Sequence, residues 1–540
     1  MRFRNLAGRT CSVLLGLLCA ASGVLSAQES GKVRAGSEVF VGSELEDYLR
    51  WMQVAGKSEF YPWSVRGLSP REVDRLAPAD SAHPWAGHYE LRTSGGSGLQ
   101  VSLVRPETRV IFNSAFPYGA NDGPLWAGKG ITTAVQAGFS ARFGPVSLVV
   151  APIAFHAQNA AFDLLPIAGD SVVRSPFGDP RNGHAIDLPQ RFGEGAYARI
   201  DPGESTLRVD LPVVTAGIST ASQHWGPAAH NPILLGNNAP GYLHGFAGSS
   251  SPLNVLVGRA HGRMVWGKLD QSPYSPVPGD LRSADRFMAG IVATFIPRGA
   301  EGLEIGGGRF FHTPWPLGGL QWGHFLKPFE GFLKIHLDTT GFGDDSVSDI
   351  GNQLASVYAR WVLPKSGLEL YGEYGRDDHS KDLRDVALEP DHASGFMLGF
   401  RKLLTRSDSR ILALHGEVLN LEVSHLQRVR FQAPFYTHAA GTRQGHTQRG
   451  QLLGAASGYG GGGSVLGVDY IHPTGRWSAT WSRQLRQSGG DVMHGVELQG
   501  LLFHGPVDLT AGVTGVYSFN RDMLADRFNL NTDLSVRIAF

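Results

Sequence analysis

Cysteine is nearly absent from this 540-residue chain: Cys11 and Cys19 are its two. Arg2, Arg4 and Arg9 precede an apolar run, Cys11 to Leu25, that ends at the small-residue cleavage signal Leu25-Ser26-Ala27. Residues 1–27 therefore read as a signal peptide for export. Leu18 stands where a lipidation site needs a small residue, so Cys19 does not read as a lipid anchor. The mature chain is left with no thiol for a disulfide, a nucleophile or a metal thiolate, which excludes thiol and redox chemistry. Net charge is also lacking: 48 basic and 48 acidic residues sum to zero and leave no electrostatic footprint for nucleic acid. Long apolar runs are missing after the signal, since even Val146 to Phe155 is interrupted by Pro152, so no transmembrane helix is expected. With no nucleophile elbow and no Ser/His/Asp arrangement, the chain is read as a non-enzyme without cofactors.

What is present is glycine, at 71 residues, with 10% aromatics, a mixture suited to many strands and turns. The last stretch is the clearest. Phe528, Leu530, Thr532, Leu534, Val536, Ile538 and Phe540 alternate with Asn529, Asn531, Asp533, Ser535, Arg537 and Ala539. A period of two over that length describes a strand between an apolar and a polar environment, and a terminal aromatic on such a strand is typical of outer-membrane barrels. Similar alternation recurs in 131–143, 206–211, 368–374, 477–485 and 507–513. A closed barrel crosses a bilayer with every backbone group paired.

Short turn signals stand at Gly144-Pro145, Pro202-Gly203, Pro297-Arg298-Gly299, Pro364 to Gly367, Ser407-Asp408, Pro473-Thr474-Gly475 and Gly505-Pro506. Barrels of this kind keep short turns on the periplasmic side and long loops outside, with an even number of strands. Treating 325–337 as loop and splitting 252–270 near Ala260 keeps nearly all the short turns on one side. The expected fold is all-β: a transmembrane antiparallel β-barrel of about 18 strands, with 16 to 20 as the range. It occupies residues 96–540. Residues 28–95 read as a small helical periplasmic element that could cover the barrel mouth. Ser43 with Glu46 caps one helix, whose Leu45, Tyr48, Leu49 and Met52 share a face before Gly56 stops it; Ser69-Pro70-Arg71-Glu72 starts another.

Four stretches resemble the capsule-assembly Wzi family of outer-membrane proteins: 43–52 (SELEDYLRWM), 121–130 (NDGPLWAGKG), Trp225-Gly-Pro with 231–244 (NPILLGNNAPGYLH), and 446–454 (HTQRGQLLG). The resemblance covers most of the chain from about residue 43, and the Trp-Gly-Pro to Asn-Asn-Ala-Pro-Gly block is its most distinctive part. It implies a barrel of about eighteen strands with a periplasmic helical bundle, acting as a surface lectin that holds capsular or other extracellular polysaccharide to the cell. No reaction is implied.

The long segments expected outside are 116–130, 158–193, 219–251, 313–349 and 377–391. Among them Trp126, Trp225, Tyr242, Trp315 and Trp322 offer flat apolar faces, and Asn231, Asn237, Asn238 and His244 offer donors and acceptors, as a sugar's C–H patches and hydroxyl rim require. These nine are the candidate polysaccharide-binding residues. Their bland counterparts are interfacial girdle aromatics and ordinary turn formers. His224 with His230 lack the spacing of a zinc site, and Asp377-Asp378-His379, a weak cation chelator at most, reads more simply as a solvated charged turn, so no metal is expected. His415 and Glu417 share the lumen face of one strand as an acid/base pair or, more simply, a polar lumen network. The expected partners are extracellular polysaccharide, outer-membrane lipid and lipopolysaccharide, with the chain monomeric. A porin-like channel for sugars or small solutes remains the competing reading.

Overall fold

The computed structural model describes residues 32–78, 82–92, 98–166, 175–179, 186–274, 285–316, 318–330, 351–378, 382–428, 430–437, 442–486, 491–521 and 524–539. Residues 1–27, read from sequence as a signal peptide, and Phe540 lie outside the described residues.

Period-two alternation produces eighteen antiparallel strands that close on themselves. They are β1 (Gln100–Asn113), β2 (Gly130–Phe143), β3 (Val146–Val150 and Ile153–Ala157), β4 (Tyr197–Asp201 and Thr206–Asp210), β5 (Val214–Ser219) and β6 (His244–Ser249 and Leu253–Val255). Then come β7 (Gly258–Leu269), β8 (Arg286–Pro297), β9 (Leu303–Pro314), β10 (Asn352–Leu363), β11 (Leu368–Asp377) and β12 (Ser394–Arg406). The last six are β13 (Ile411–Asn420), β14 (Gly462–His472), β15 (Gly475–Arg486), β16 (Asp491–His504), β17 (Val507–Arg521) and β18 (Ala525–Ile538). β18 closes on β1, with Asn531 opposite Asn113 and Arg537 opposite Glu107. Its apolar Phe528, Leu530 and Leu534 are exposed on the outer wall while Asn529 and Asn531 are buried inside, as the alternation requires. An outer wall of exposed apolar side chains around a closed cylinder is the surface of an outer-membrane barrel.

Two details differ from the sequence reading. Pro202-Gly203 does not end a strand: it interrupts β4, opposite the Ala151-Pro152 break in β3, where proline withholds a ladder donor. Gly203 sits at φ 57°, and a Cβ there would lie 2.4 Å from the Ala151 carbonyl oxygen. Gly203→Val should therefore cost about 2 kcal/mol, visible as a lower yield of heat-modifiable folded barrel in detergent. The other difference is the split expected near Ala260, which falls instead at Leu256-Val257, between β6 and β7.

Before the barrel come α1 (Glu44–Val54) and α2 (Pro70–Leu76). The Ser69/Glu72 box forms in both directions, Glu72 N–H donating to Ser69 Oγ at 3.2 Å and Ser69 N–H to Glu72 Oε2 at 2.7 Å. α1 starts with Glu46 N–H donating to Ser43 Oγ, and Gly56 follows its end at φ 69°. Its burial is wider than one face, because Arg50, Trp51, Gln53 and Val54 are buried along with Leu45 and Leu49. A helix buried all round needs protein on every side. Here Trp51, Trp63 and Trp85 pack against lumen residues Val362, Leu403, Ala413, Ile471 and Leu501, so the N-terminal element is a plug inside the short-turn end of the bore.

Candidate functional site

Charge fastens the plug. Arg50 on α1 donates to Glu369 of β11 through Nε at 3.1 Å and Nη2 at 2.9 Å, and lies over the Tyr371 ring. Arg360 also binds Glu369, while Arg401 and Arg476 reach Asp47 at 2.6 and 3.1 Å. Glu304 of β9 accepts from the backbone N–H groups of Trp63 and Ser64 at 2.9 and 3.0 Å. Burial raises the carboxyl of Glu46 despite nearby Arg66, whereas for Asp47 the burial effect is overcome by Arg401 and Arg476, which hold it well below the usual range.

The opposite end is filled by folded-in loops. Trp225, Ile233, Leu234, Leu235 and Tyr242, from the connection between β5 and β6, pack with Phe435, Tyr436, Leu452 and Tyr459, from that between β13 and β14. Together they bury the lumen side chains Val265, Met288, Phe310, Leu354 and Met397. Glu417 accepts from the consecutive backbone N–H groups of Ala229, His230 and Asn231, and from Tyr371 Oη at 2.8 Å. His415 is hydrogen-bonded to Asp469 at 3.0 Å rather than to Glu417. The pair suggested by sequence thus splits into a loop anchor and a lumen contact.

Acid should loosen this loop layer. Burial, reinforced by Arg286, depresses His446 to about 3, and burial with Arg66 depresses His224 well below the usual imidazole value. A base held neutral in the fold contributes stability above its unfolded pKa of about 6.5 and loses it as pH falls toward the folded value. Between pH 6.5 and 4, protease nicking within 221–237 and 442–455 should increase before the barrel unfolds.

The nine candidate residues occupy three different places. Trp225 is 0% exposed, its ring 6.4 Å from Phe310. Asn231 serves Glu417, Tyr242 and His244 are buried at the start of β6, and Asn237 Nδ2 donates to the Asn121 carbonyl at 2.7 Å. These five are interior scaffold. Trp315 and Trp322 are exposed, at 37% and 83%, and lie on the outer wall beside Phe287 and Phe325.

Trp126 and Asn238 do meet. They border a hollow of about 100 Å³ among the external loops, together with Tyr118, Gly119, Leu125 and Gln451. Gln451 Nε2 donates to the Asn238 carbonyl at 3.1 Å, and Asn238 Nδ2 to the Leu452 carbonyl at 3.0 Å. Behind Trp126 stand Phe192 at 4.6 Å and Tyr197 at 6.2 Å between ring centroids. The 118–122 loop is shared with a polar chamber of about 370 Å³ within the bore, bordered by Arg109, Asp122, Asp533, Arg401, Asp47 and Arg476. Arg109 is paired with Asp122 at 2.7 Å and Asp533 at 2.9 Å, and Arg401 with Asp47. The sequence reading missed Tyr118, Phe192, Tyr197 and Gln451 as companions of Trp126. They are ordinary loop and strand-end residues in sequence, and only closure of the barrel brings them together.

Among solved structures, the chain is similar to Wzi of Escherichia coli, described as an outer-membrane protein involved in group 1 capsule assembly and a carbohydrate-binding β-barrel. The TM-score is 0.60 and the identity 15%, over 93% of this chain and 99% of that one. The two share a fold. A BenF-like porin of Pseudomonas fluorescens, 9% identical over 82% of this chain and all of its own, gives a TM-score of 0.38, too low to carry an argument. No family model and no curated protein matches the sequence.

Proposed function

We propose that this outer-membrane barrel binds and anchors capsular or another extracellular polysaccharide at its external loops and contributes to capsule assembly. The observation that carries this reading is the filling of the bore from both ends, which leaves the loop layer as the surface for a large ligand. The hollow at Trp126 and Asn238 supplies what a sugar ring needs, an apolar face beside amide donors and acceptors. At about 100 Å³ it takes the edge of one ring, so a polymer would bind through repeated shallow contacts. The carbohydrate binding reported for the Wzi barrel of the same fold points the same way. We assign the chain no reaction and expect a monomer in contact with lipid and lipopolysaccharide.

Trp126→Ala, with or without Gln451→Ala, tests the reading. Each should release polysaccharide from cells into the medium, with a loss of about 1–2 kcal/mol per aromatic contact and wild-type barrel yield. Full retention of polymer by the double variant would refute the site. The competing channel reading requires the 370 Å³ chamber to connect both faces.

A further inference from the structure

On β9, Glu304, Gly308 and Phe310 face the bore, meeting the plug or the folded-in loops. Arg309, between the last two, therefore points at the membrane, yet it is only 2% exposed. Its Nε and Nη2 bind Gln353 Oε1 of β10 at 2.9 and 2.7 Å, and its Nη1 binds the carbonyl oxygens of Pro328, at 3.3 Å, and Glu330. Those carbonyls come from the connection after β9, where a short helix, α3 (Trp322–Leu326), runs into one turn of 3-10 helix, Lys327–Phe329. This segment folds down against the outer faces of β8 and β9. It covers Phe287, which is 5.5 Å from the Phe325 ring, and takes a hydrogen bond from outward-facing Trp266 to the Phe325 carbonyl at 2.9 Å.

The depth of this arrangement follows from register. Leu303 pairs with Trp361, a half-exposed aromatic near the short-turn end, and Arg309 lies six residues farther along β9. At a strand rise of about 3.3 Å and the usual tilt, that is about 15 Å above the Trp361 level, inside an apolar belt about 25 Å tall. A bare guanidinium there would cost several kcal/mol at mid-bilayer depth. The segment supplies its missing acceptors and turns Trp322 (83%), Phe329 (60%) and Leu326 (42%) away from the wall.

We propose that the Trp322–Glu330 segment is a lipid-embedded flap, seated over Arg309 and Gln353 and presenting Trp322, Leu326 and Phe329 to the acyl chains of the outer leaflet. The bare apolar wall beside it is continuous with this surface: Val357, 62% exposed, and Ile305, 40% exposed, lie on the outer register of the neighbouring strands. Trp322 and Trp315, chosen from sequence as sugar contacts, then belong to the membrane boundary. Lys327 and Glu330, paired at 3.1 Å and largely buried, neutralise each other within the segment.

The test uses the whole protein reconstituted in phospholipid vesicles. Cys11 and Cys19 lie in the segment read as removed on export, so Trp322→Cys and Phe329→Cys each carry one nitroxide. Val357→Cys is the lipid reference and Arg298→Cys, in a short turn, the water reference. Collision with lipid-dissolved oxygen should exceed collision with a water-soluble nickel chelate at both flap positions, in the ratio found at Val357→Cys. A ratio matching Arg298→Cys at both would place the flap in water and overturn the proposal. Suppression of both collisions would mean a protein surface, such as a second copy, covers the flap, and would overturn it equally.

Discussion

Glu369→Ala should unseat the N-terminal plug and lower the stability of the folded protein by about 3–5 kcal/mol, the cost of leaving buried charge without its partner. The carboxylate is fully buried, joins Arg50 of the plug to Arg360 of the wall, and has the Arg401 guanidinium 4.0 Å away. Removing it also weakens the hold on two wall guanidinium groups, although Arg360 keeps Glu304 at 3.6 Å and Arg401 keeps Asp47 at 2.6 Å. Arg50 is then held by no carboxylate, although its aliphatic stem and the contact with Tyr371 persist. The expected readouts are a lower unfolding temperature in detergent and new protease cleavage between residues 43 and 78. The paired change Arg50→Met with Glu369→Leu should recover only part of the loss, because Arg360 leans on the same carboxylate. Wild-type melting of the alanine variant would show that the network does not hold the plug.

Glu417→Ala should act at the other end of the bore. This carboxylate is the acceptor for three successive backbone N–H groups, at Ala229, His230 and Asn231, so the variant leaves buried donors unpaired at about 1–3 kcal/mol each. The loss falls on a loop rather than on the ladder, which β13 keeps through β12 and β14. We expect rapid amide exchange in 225–242 with barrel strands still protected. Glu417→Gln, which keeps one acceptor oxygen, should lie between. Protection of the loop unchanged in Glu417→Ala would contradict the anchoring role.

Much of the fold is legible because the two environments of a barrel wall write a period of two into each strand. The β18 alternation, Phe528 outward and Asn529 inward, translates directly into structure. So do Pro297-Arg298-Gly299 and Gly505-Pro506, each closing a hairpin. Pro202-Gly203 misleads because a proline-glycine step has the same local chemistry whether it ends a strand or interrupts one. Its meaning is set by Ala151-Pro152 on the neighbouring strand. The content of the bore is less legible still. Glu417 reads as a polar lumen residue, and that pattern is the same whether water or protein lies opposite. For that reason Trp225 and Tyr242, on a long polar-looking loop, look like exposed ring faces in sequence and are buried in the structure. Trp126 and Asn238 are far apart in the chain, and their meeting depends on which loops closure brings together. Arg309 shows the limit most sharply: its register alone places a charge against lipid, and only the folded connection after β9 explains it.

Protein occupies both ends of the bore, and the proposed binding at the external loops depends on that. Conductance of the purified protein in planar bilayers at neutral pH tests it most directly. A sealed bore predicts no steady open current. A stable ohmic current that added sugar blocks in a concentration-dependent way would contradict the account and favour a solute channel.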